Sequence, residues 1–312
     1  MQAPSAVTAK FRARCASGAA MIGGFCIIVT AGHFYCTLLV LALTVAMFKE
    51  VVQIHTLAYR HSFVASQTAD WRATWSFYCV GVFAGSTQVR GLAELHGAPA
   101  TAACRVYTVY LVAVISFVLS LCKDRYHYQF SLLACGHTCL VGLVLPAFAH
   151  IHNLYRGMIW FLVPASLVIC NDTAAMVCGS FFPGARTRLI AVSPGKTWEG
   201  FCGGALLTLS MGALLGTALA SCPVLHSWLA CPPDGLQLIP FSAAPTWCEE
   251  ATQLFAPQNY ALAGVSVELC PVQLHTMTLA AFASTVAPFG GFVASGFKRA
   301  YEIKDFGATI PG

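Results

Sequence analysis

Charged side chains are concentrated near the carboxy-terminal end of this chain, directly after an apolar segment. Lys298, Arg299, Glu302, Lys304 and Asp305 lie within eight positions, although only 9% of the 312 residues are charged. On a continuous helix, Lys298, Glu302 and Asp305 would share one face through their i, i+4, i+7 spacing. Ordinary ion pairing is one explanation. However, three cations exceed the need of two carboxylates, so we expect an anionic partner, either lipid headgroups or a nucleotide.

A second motif, SPGKTWEGFCGG, begins at Ser193. Thr197 is predicted to cap a helix that starts near the next residue, and Ser193 with its following proline is typical of an N-cap and first turn. A helix amino terminus offers N–H groups to phosphate oxygens, and Lys196 adds a compact positive charge beside them. Glu199 is a hard oxygen ligand suited to a divalent cation. The alternative for Lys196 and Glu199 is interfacial anchoring, and the glycines that follow favour close helix packing.

A third motif, CNDTAAMVCGSFF, places Asn171 and Asp172 at the end of an apolar run. A carboxylate near membrane depth costs about 2.5–3.5 kcal/mol on insertion scales, so Asp172 is expected to face a wet cavity or a cation. The alternative is a helix end at the headgroup level, with Asp172 capping the next helix. The motif alone does not decide between these two interpretations.

Together the three motifs supply the parts of a phosphoryl or nucleotidyl transfer site. Carboxylates can hold a divalent metal, and cations with a helix amino terminus can hold phosphates. The sequence contains no P-loop pattern and no kinase signature. The residues therefore predict metal-dependent phosphate chemistry at a membrane surface without naming the nucleotide. The net charge of +5 is too modest to suggest a nucleic acid partner.

The elements that position these motifs are predicted to be membrane-spanning helices. Hydrophobic residues make up 57% of the chain, and the apolar runs are continuous rather than alternating, which favours helices. A helix needs roughly 20 apolar residues to cross the hydrocarbon core. The predicted fold class is therefore all-α, a polytopic transmembrane helical bundle. The predicted spans are Met21–Phe48, Val106–Cys122, Phe130–Ala149, Met158–Cys170, Phe201–Ala220 and Leu274–Val293, with a weaker candidate at Trp75–Gly85.

The polar connections predict how the chain crosses the membrane. Residues 1–18 form a basic amino-terminal tail, and residues 19–312 form one membrane domain. Within this domain, residues 221–272 form a proline-rich loop whose only formal charges are acidic. One span on either side separates this acidic loop from the basic segments that carry Lys196 and Lys298, so both basic segments lie on one face. Because basic segments favour the cytoplasm, the acidic loop is expected in the lumen.

The fifteen cysteines do not suggest a thiolate metal site, because no CxxC pair is present and many lie inside apolar runs. Four of them, Cys222, Cys231, Cys248 and Cys270, lie in the acidic loop. In an oxidising lumen these four are predicted to form disulfides.

The three motifs, in this order and separation, closely resemble the eukaryotic CDP-diacylglycerol synthases, also called phosphatidate cytidylyltransferases. Further matches are HNLYRGMIWFLVPASLVICND from His152 and APFGGFVASGFKRA from Ala287. The similarity extends from about Met21 to the end of the chain. It is weaker in the acidic loop and between Val51 and Ala103.

The resemblance implies a multi-helix enzyme of the endoplasmic reticulum membrane with an active site that faces the cytosol. It implies conversion of CTP and phosphatidate to CDP-diacylglycerol and pyrophosphate with the help of Mg²⁺. The implied partners are CTP, phosphatidate and the lipid bilayer, and no nucleic acid. A homodimer is left open.

The site residues are carried over from the family by position. The predicted catalytic residues are Asp305, which matches the family's metal-binding aspartate, and the basic signature residues Lys304, Lys298 and Arg299. The predicted contacts to substrate phosphates are Ser193, Lys196, Thr197 and Asn171. The predicted metal ligands are Asp305, Asp172 and Glu199.

The chain also departs from the family pattern. The family usually has two lysines where this chain has Gly195 and Lys196, so one phosphate contact is expected to be absent. Pro183 is expected to lengthen or reshape the glycine turn, and Ala308 stands where an acidic residue is common. In the family, the IPG ending runs directly into a histidine, two glycines and a paired-aspartate signature. The chain is therefore interpreted as carboxy-terminally truncated and is expected to be inactive by itself.

Three other functions are compatible with the sequence. The closest is a CTP-dependent lipid kinase of the dolichol kinase type, which would release CDP rather than pyrophosphate. A transporter would carry its charges along helix interiors, whereas the charges here gather at the ends of spans. A catalytically inactive membrane fragment is the third alternative.

Overall fold

The computed structural model describes residues 4–58, 81, 99–181, 187–233, 238–241, 247–262 and 265–303. Within these ranges the protein is mainly helical. The α-helices, in chain order, are α1 (Pro4–Ala31), α2 (His33–Ala58), α3 (Pro99–Leu119), α4 (Tyr126–Cys139), α5 (Leu145–Arg156), α6 (Ile159–Phe181), α7 (Trp198–Ala220), α8 (His226–Ala230), α9 (Glu249–Phe255), α10 (Pro271–Thr285) and α11 (Ala287–Ala300). A π-helical turn, Leu140–Val144, joins α4 to α5, and a 3₁₀ turn, Pro223–Leu225, precedes α8.

Five helical segments in the described part of the chain are long and apolar enough to cross a membrane. These segments are His33–His55, Tyr126–Arg156, Ile159–Phe181, Trp198–Ala220 and Pro271–Ala300. The prediction of an all-α, polytopic transmembrane protein is therefore confirmed. The predicted span Val106–Cys122 corresponds to the shorter apolar helix Val106–Leu119. The weaker candidate Trp75–Gly85 lies outside the described residues, except for Gly81.

The single predicted span Met21–Phe48 is wrong, because the helix breaks at Gly32. Gly32 has a φ of 120°, a conformation that is readily available only to glycine. Its N–H group still donates to the carbonyl oxygens of Ile28 and Val29, and its own carbonyl accepts from Cys36. The apolar run therefore contains the end of α1 and the start of α2.

The predicted span Leu274–Val293 is also interrupted, since α10 ends at Thr285 and α11 begins at Ala287. Pro288 is in the first turn of α11. Proline has no N–H group and its ring crowds the carbonyl four residues earlier, so a continuous helix is disfavoured here. The break lies beside a cavity that Ala287 and Pro288 help to line.

The chain divides into two compact units, each described by itself. The first contains the described residues up to His152 together with Leu238–Phe241. In it, Phe117 and Ala113 of α3 form a small buried cluster, and His55 of α2 hydrogen-bonds to Ser131 of α4 at 2.9 Å.

The second unit contains the described residues of the ranges Asn153–Gln237 and Ser242–Lys304. Its helices α6, α7 and α10 pack through small residues. The buried face of α7 repeats every fourth residue and consists of Gly200, Gly204, Thr208, Gly212 and Gly216. A Cβ atom added at Gly204 would lie 2.9 Å from Cβ of Ala175 in α6, and one at Gly212 would lie 2.6 Å from Cβ of Ala280 in α10. Only glycine permits so close an approach of the helix backbones, as the sequence predicted.

The two ends of the second unit carry opposite charge. The loop before α7 and the last turn of α11 lie at one end, since a Cβ atom on Gly296 would lie 3.7 Å from Cγ1 of Val192. This end carries Lys196 and Lys298. The acidic loop connects the other ends of α7 and α10. The basic segments thus lie at one end of this unit and the acidic loop at the other, and the lumenal position of the acidic loop stays a prediction.

The acidic loop is folded against the bundle. Leu229 and Ala230 of α8, with Ala251, Leu254 and Phe255 of α9, share one buried core with residues of α6 and α10. Between α9 and α10, strands β1 (Gln258–Leu262) and β2 (Val265–Leu269) form an antiparallel hairpin. The all-α prediction did not include this hairpin.

The disulfide prediction is confirmed for one pair and wrong for the other. Cys231 and Cys248 are bonded, whereas Cys222 and Cys270 are free thiols. The Cys270 sulfur is already engaged, because it caps α10 and hydrogen-bonds to the carbonyl oxygen of Phe255 at 3.2 Å. Burial, with the nearby Glu268 carboxylate, raises the pKa of this thiol.

Candidate active site

A cavity of about 730 Å³ lies in the second unit. Its walls come from α6, the loop before α7, the first turn of α7 and the junction of α10 with α11. The polar residues that line it include Asn171, Asp172, Arg188, Ser193, Lys196 and Thr197. Its apolar lining includes Val168, Met176, Phe201 and Phe292. The cavity therefore combines a charged region with an apolar wall built from membrane-length helices.

Asp172 lies within α6, and not at a helix end. The helix continues for nine residues to Phe181, which corresponds to about 14 Å of helix length. The alternative prediction that Asp172 caps the next helix is therefore wrong. The Asp172 side chain is exposed and lines the cavity, as expected for a carboxylate that is expensive to place in hydrocarbon.

Asn171 also lines the cavity, but only 5% of it is exposed. Its Oδ1 atom accepts a hydrogen bond at 3.2 Å from the hydroxyl of Thr208 in α7. Thr208 is completely buried and lies 2.7 Å from the carbonyl oxygen of Gly204. Asn171 thus ties α6 to α7 at the cavity wall, and no sequence pattern predicts Thr208 as its partner.

The loop before α7 is a short two-stranded ladder closed by a turn. Arg188 pairs with Thr197 in an antiparallel bridge, and the N–H group of Leu189 donates to the carbonyl of Lys196 at 3.0 Å. The N–H group of Lys196 donates to the carbonyl of Ser193 at 3.0 Å. Ser193 is therefore the first residue of a tight turn, and its prediction as a helix N-cap is wrong.

The predicted cap of α7 is confirmed, because Thr197 Oγ1 accepts from the N–H group of Gly200 at 3.1 Å. The N–H group of Trp198 donates to the carbonyl of Thr187 at 3.1 Å. Both N–H groups are thus already used inside the protein. The side chains at this end of the cavity are consequently better placed to bind phosphate than the amino terminus of α7, which the sequence predicted as a phosphate-binding group.

Glu199 does not line the cavity. Its Oε1 atom accepts from the hydroxyl of Thr187 at 2.9 Å, so it holds the start of the ladder against α7. Its Oε2 atom is buried and has no hydrogen-bond partner among the described residues. The predicted role of Glu199 in metal binding is not tested by this arrangement and stays a prediction.

The described residues contain no cluster of three or more histidine, cysteine, aspartate or glutamate side chains that could hold a metal ion. Mg²⁺ does not need such a cluster, because it is usually bound through one or two carboxylates together with substrate phosphates and water. The exposed Asp172 carboxylate in the cavity meets this requirement. The residues present therefore fit a magnesium ion that arrives with a phosphate ligand.

Lys298 and Arg299 occupy the last turn of α11 and do not line the cavity. They follow the cavity-lining residues Gly291 and Phe292 by seven positions. Residues seven apart share a helix face, about 10 Å apart along the axis. The two cations thus extend the face that forms the cavity wall.

The helix ends before the remaining charges. The N–H group of Ile303 donates to the carbonyl of Lys298, and the N–H group of Glu302 donates to that of Arg299. With a φ of 55° at Glu302, this is a Schellman cap. The prediction that Lys298, Glu302 and Asp305 share one helix face is therefore wrong for Glu302, which lies after the end of α11. Lys304 and Asp305 lie outside the described residues.

The sequence comparisons agree with the geometry of the cavity. A family model described as the cytidylyltransferase family matches residues 12–312. The chain belongs to the cytidylyltransferase family. Among its relatives, phosphatidate cytidylyltransferase 1 of Rattus norvegicus is 38% identical over 317 residues, which cover 94% of this chain and 64% of the relative.

Two further phosphatidate cytidylyltransferases show a similar likeness to this cytidylyltransferase-family chain. Phosphatidate cytidylyltransferase 2 of Homo sapiens is 37% identical over 318 residues, covering 94% of this chain and 67% of the relative. Phosphatidate cytidylyltransferase 1 of Arabidopsis thaliana is 35% identical over 330 residues, covering 97% of this chain and 73% of the relative. The chain thus spans about two thirds of the length of these curated relatives.

Sequence reasoning missed the part that α10 and α11 play in this site. Ala287 and Pro288 line the cavity beside Asn171 and Lys196. The available signal was a proline near the centre of a long apolar segment, which predicts a helix break. Arg188 lies outside the three motifs, so the sequence predicts it only as one charge of a basic segment.

Proposed function

We propose that this chain transfers the cytidylyl group of CTP to phosphatidate and so forms CDP-diacylglycerol and pyrophosphate. The observation that carries the proposal is the mixed character of one cavity. Asp172 and Lys196 provide charge at its polar end, and Met176 and Phe292 belong to its apolar wall. A lipid that carries a phosphate needs both environments at once. The family relationship supports the same assignment.

In the proposed reaction, a phosphate oxygen of phosphatidate attacks the α-phosphorus of CTP. The new oxygen–phosphorus bond forms as the bond between the α-phosphorus and its bridging oxygen breaks, and pyrophosphate leaves with the electron pair. Lys196 binds phosphate oxygens and offsets the negative charge that builds up on them. Thr197 and Ser193 lie beside it and orient the same group. Lys298 and Arg299 bind phosphates that extend along α11.

Mg²⁺ bound with the nucleotide would neutralise charge on the phosphates and orient them for in-line displacement. Asp172 is the proposed ligand inside the cavity. Asp305 and Glu199 are the other proposed ligands, and Lys304 is a further proposed contact to the transferred phosphates. Asp305 and Lys304 are assigned by family resemblance alone.

The test is an assay with CTP labelled in the base and in the γ-phosphate, with phosphatidate in mixed micelles. It uses this chain as it stands and this chain extended with the segment that follows the aligned region of the rat relative. The proposal predicts labelled CDP-diacylglycerol and pyrophosphate from the extended protein. Release of CDP with transfer of the γ-label to lipid would instead support a dolichol-kinase-type reaction. Neither product, in a folded protein, would contradict both enzyme assignments.

We further infer that the protein resides in the endoplasmic reticulum membrane with its basic end in the cytosol. The support is the position of Lys196 and Lys298 at one end and of the acidic loop at the other, since basic segments favour the cytoplasm. A glycosylation acceptor inserted between β1 and β2 should be modified in microsomes, and one inserted beside Gly195 should not. The reverse pattern would contradict this orientation. A homodimer stays a prediction.

A further inference from the structure

Arg188 is a second cation of the cavity, besides Lys196. It is exposed and lines the same cavity as Lys196 and Asp172. Within the described part of the chain, its guanidinium makes no ion pair or hydrogen bond, and the same is true of the Lys196 ammonium. Two neighbouring cations are thus available to a ligand.

The backbone holds Arg188 in place. It pairs directly with Thr197 across the antiparallel bridge, and residues paired in this way project from the same face of a ladder. Thr197 lines the cavity and caps α7. Leu189 and Lys196, the next two residues of the ladder to be hydrogen-bonded, line the cavity as well, so this end of the ladder as a whole lies against the cavity. This placement distinguishes Arg188 from a basic residue that merely contacts lipid headgroups outside the bundle.

The charges of the cavity favour an anionic ligand. Among its described lining residues, Arg188 and Lys196 are cationic and Asp172 is anionic, so one positive charge is not balanced. A guanidinium presents a planar fork of N–H groups that matches phosphate oxygens with two parallel hydrogen bonds. The ammonium group of Lys196 acts as a more compact charge beside it. Phosphate is the ligand chemistry that suits this pair.

We propose that Arg188 binds a substrate phosphate in this cavity, as the partner of Lys196. The identity of the ligand rests on the proposed function, in which both CTP and phosphatidate present phosphate groups. CTP and phosphatidate each carry a terminal phosphate, and the binding of each ligand is measured separately.

Gly195 provides a way to test charge rather than side-chain identity. It lines the cavity, a Cβ atom added to it would meet nothing within 4 Å, and its φ is outside the range that disfavours other residues. A lysine at this position therefore fits without strain. In the double variant Arg188→Gln/Gly195→Lys, the cation removed from one strand of the ladder is returned to the turn of the same loop.

The experiment measures binding of CTP and, separately, of dihexanoyl phosphatidate to the purified chain in detergent by equilibrium dialysis. We expect Arg188→Gln to weaken binding of at least one ligand by roughly tenfold or more, because a charge-assisted hydrogen bond is lost. The double variant with Gly195→Lys should bind the same ligand at least about threefold more tightly than Arg188→Gln alone. Arg156→Gln removes an exposed arginine outside the cavity and should change neither affinity.

The outcomes separate this inference from the proposed function. Affinities of Arg188→Gln equal to those of the unmodified chain, with an unchanged circular dichroism spectrum, would overturn the role of Arg188 even if CDP-diacylglycerol is formed. Weaker binding that Gly195→Lys restores would support it even if no cytidylyl transfer is detected. Loss of binding together with loss of helical signal, or no rescue by Gly195→Lys, would also count against it.

Discussion

Asn171 and Asp172 are neighbours in sequence, but the helix gives them different surroundings. Successive residues of an α-helix are rotated by about 100°. Asn171 is therefore buried against Thr208 of α7, while Asp172 is exposed in the cavity. A carboxamide held by a neighbouring helix suits a structural contact. A carboxylate without a protein partner among the described residues suits a ligand that brings its own positive charge.

The Asp172 assignment predicts a specific loss in the variant Asp172→Asn. The asparagine keeps the shape of the side chain but has no charge with which to bind a cation. Binding of CTP in the presence of Mg²⁺ should weaken by roughly tenfold or more, whereas binding of CTP without a divalent cation should change little. Isothermal titration with and without Mg²⁺ measures both.

The matched control for this change is Asp124→Asn. Asp124 is exposed and outside the cavity, and its φ of 66° is a conformation in which asparagine is also common. CTP binding of this control should equal that of the unmodified chain. If Asp172→Asn retained the full effect of Mg²⁺ on CTP affinity, Asp172 would not be a metal ligand.

The glycines of α7 determine how closely the helices of the second unit can approach. Gly212 faces α10, where an added Cβ atom would lie 2.6 Å from Cβ of Ala280 and 3.1 Å from the carbonyl oxygen of Thr276. Because backbone atoms cannot move aside cheaply, a larger residue must separate the two helices. The junction of α10 and α11 would then move away from the cavity.

We predict that Gly212→Ala lowers the free energy of unfolding by about 1–3 kcal/mol, the usual result of overpacking. Gly290→Ala is the matched control. Gly290 is exposed in α11, nothing lies within 4 Å of an added Cβ atom, and alanine favours helix by up to about 1 kcal/mol. Denaturant titration in mixed micelles measures both variants. Equal losses in the two would show that helix packing is not the cause.

Local signals predicted the elements better than long apolar runs did. The start of α7 was predicted correctly because Thr197 carries its own cap signal, which depends only on the next few residues. The breaks at Gly32 and Val286 were missed because hydrophobicity averaged over a span does not register one unusual backbone angle. In both places the sequence did contain a signal, Gly32 itself and the nearby Pro288.

The composition of the cavity was only partly predictable for a related reason. Asn171, Asp172, Ser193, Lys196 and Thr197 belong to two motifs, and their types alone suggested one phosphate site. Their meeting with the α10–α11 junction depends on how distant segments pack, which a single sequence does not specify. The same is true of the contact between Asn171 and Thr208, since a buried threonine in an apolar helix has no distinguishing pattern around it.

In the second unit as a whole, membrane-length helices bring a cavity with charged lining residues to one end of a bundle. The glycine face of α7 aligns α6 and α10 so that charged residues of distant motifs share one cavity with apolar side chains. The acidic loop, which is cross-linked by the Cys231–Cys248 disulfide, covers the opposite end. This arrangement suits a lipid that stays in the bilayer and a nucleotide that arrives from the aqueous side.

We propose that Asp172 of α6 and Lys196 of the loop before α7 bind one metal-bound triphosphate. The most direct test is a double-mutant cycle on CTP affinity at fixed Mg²⁺, with Asp172→Asn, Lys196→Gln and the double variant. Residues that share a ligand in this way should show a coupling free energy of about 1 kcal/mol or more. Losses that add within about 0.5 kcal/mol, or single variants with unaltered affinity, would contradict the claim.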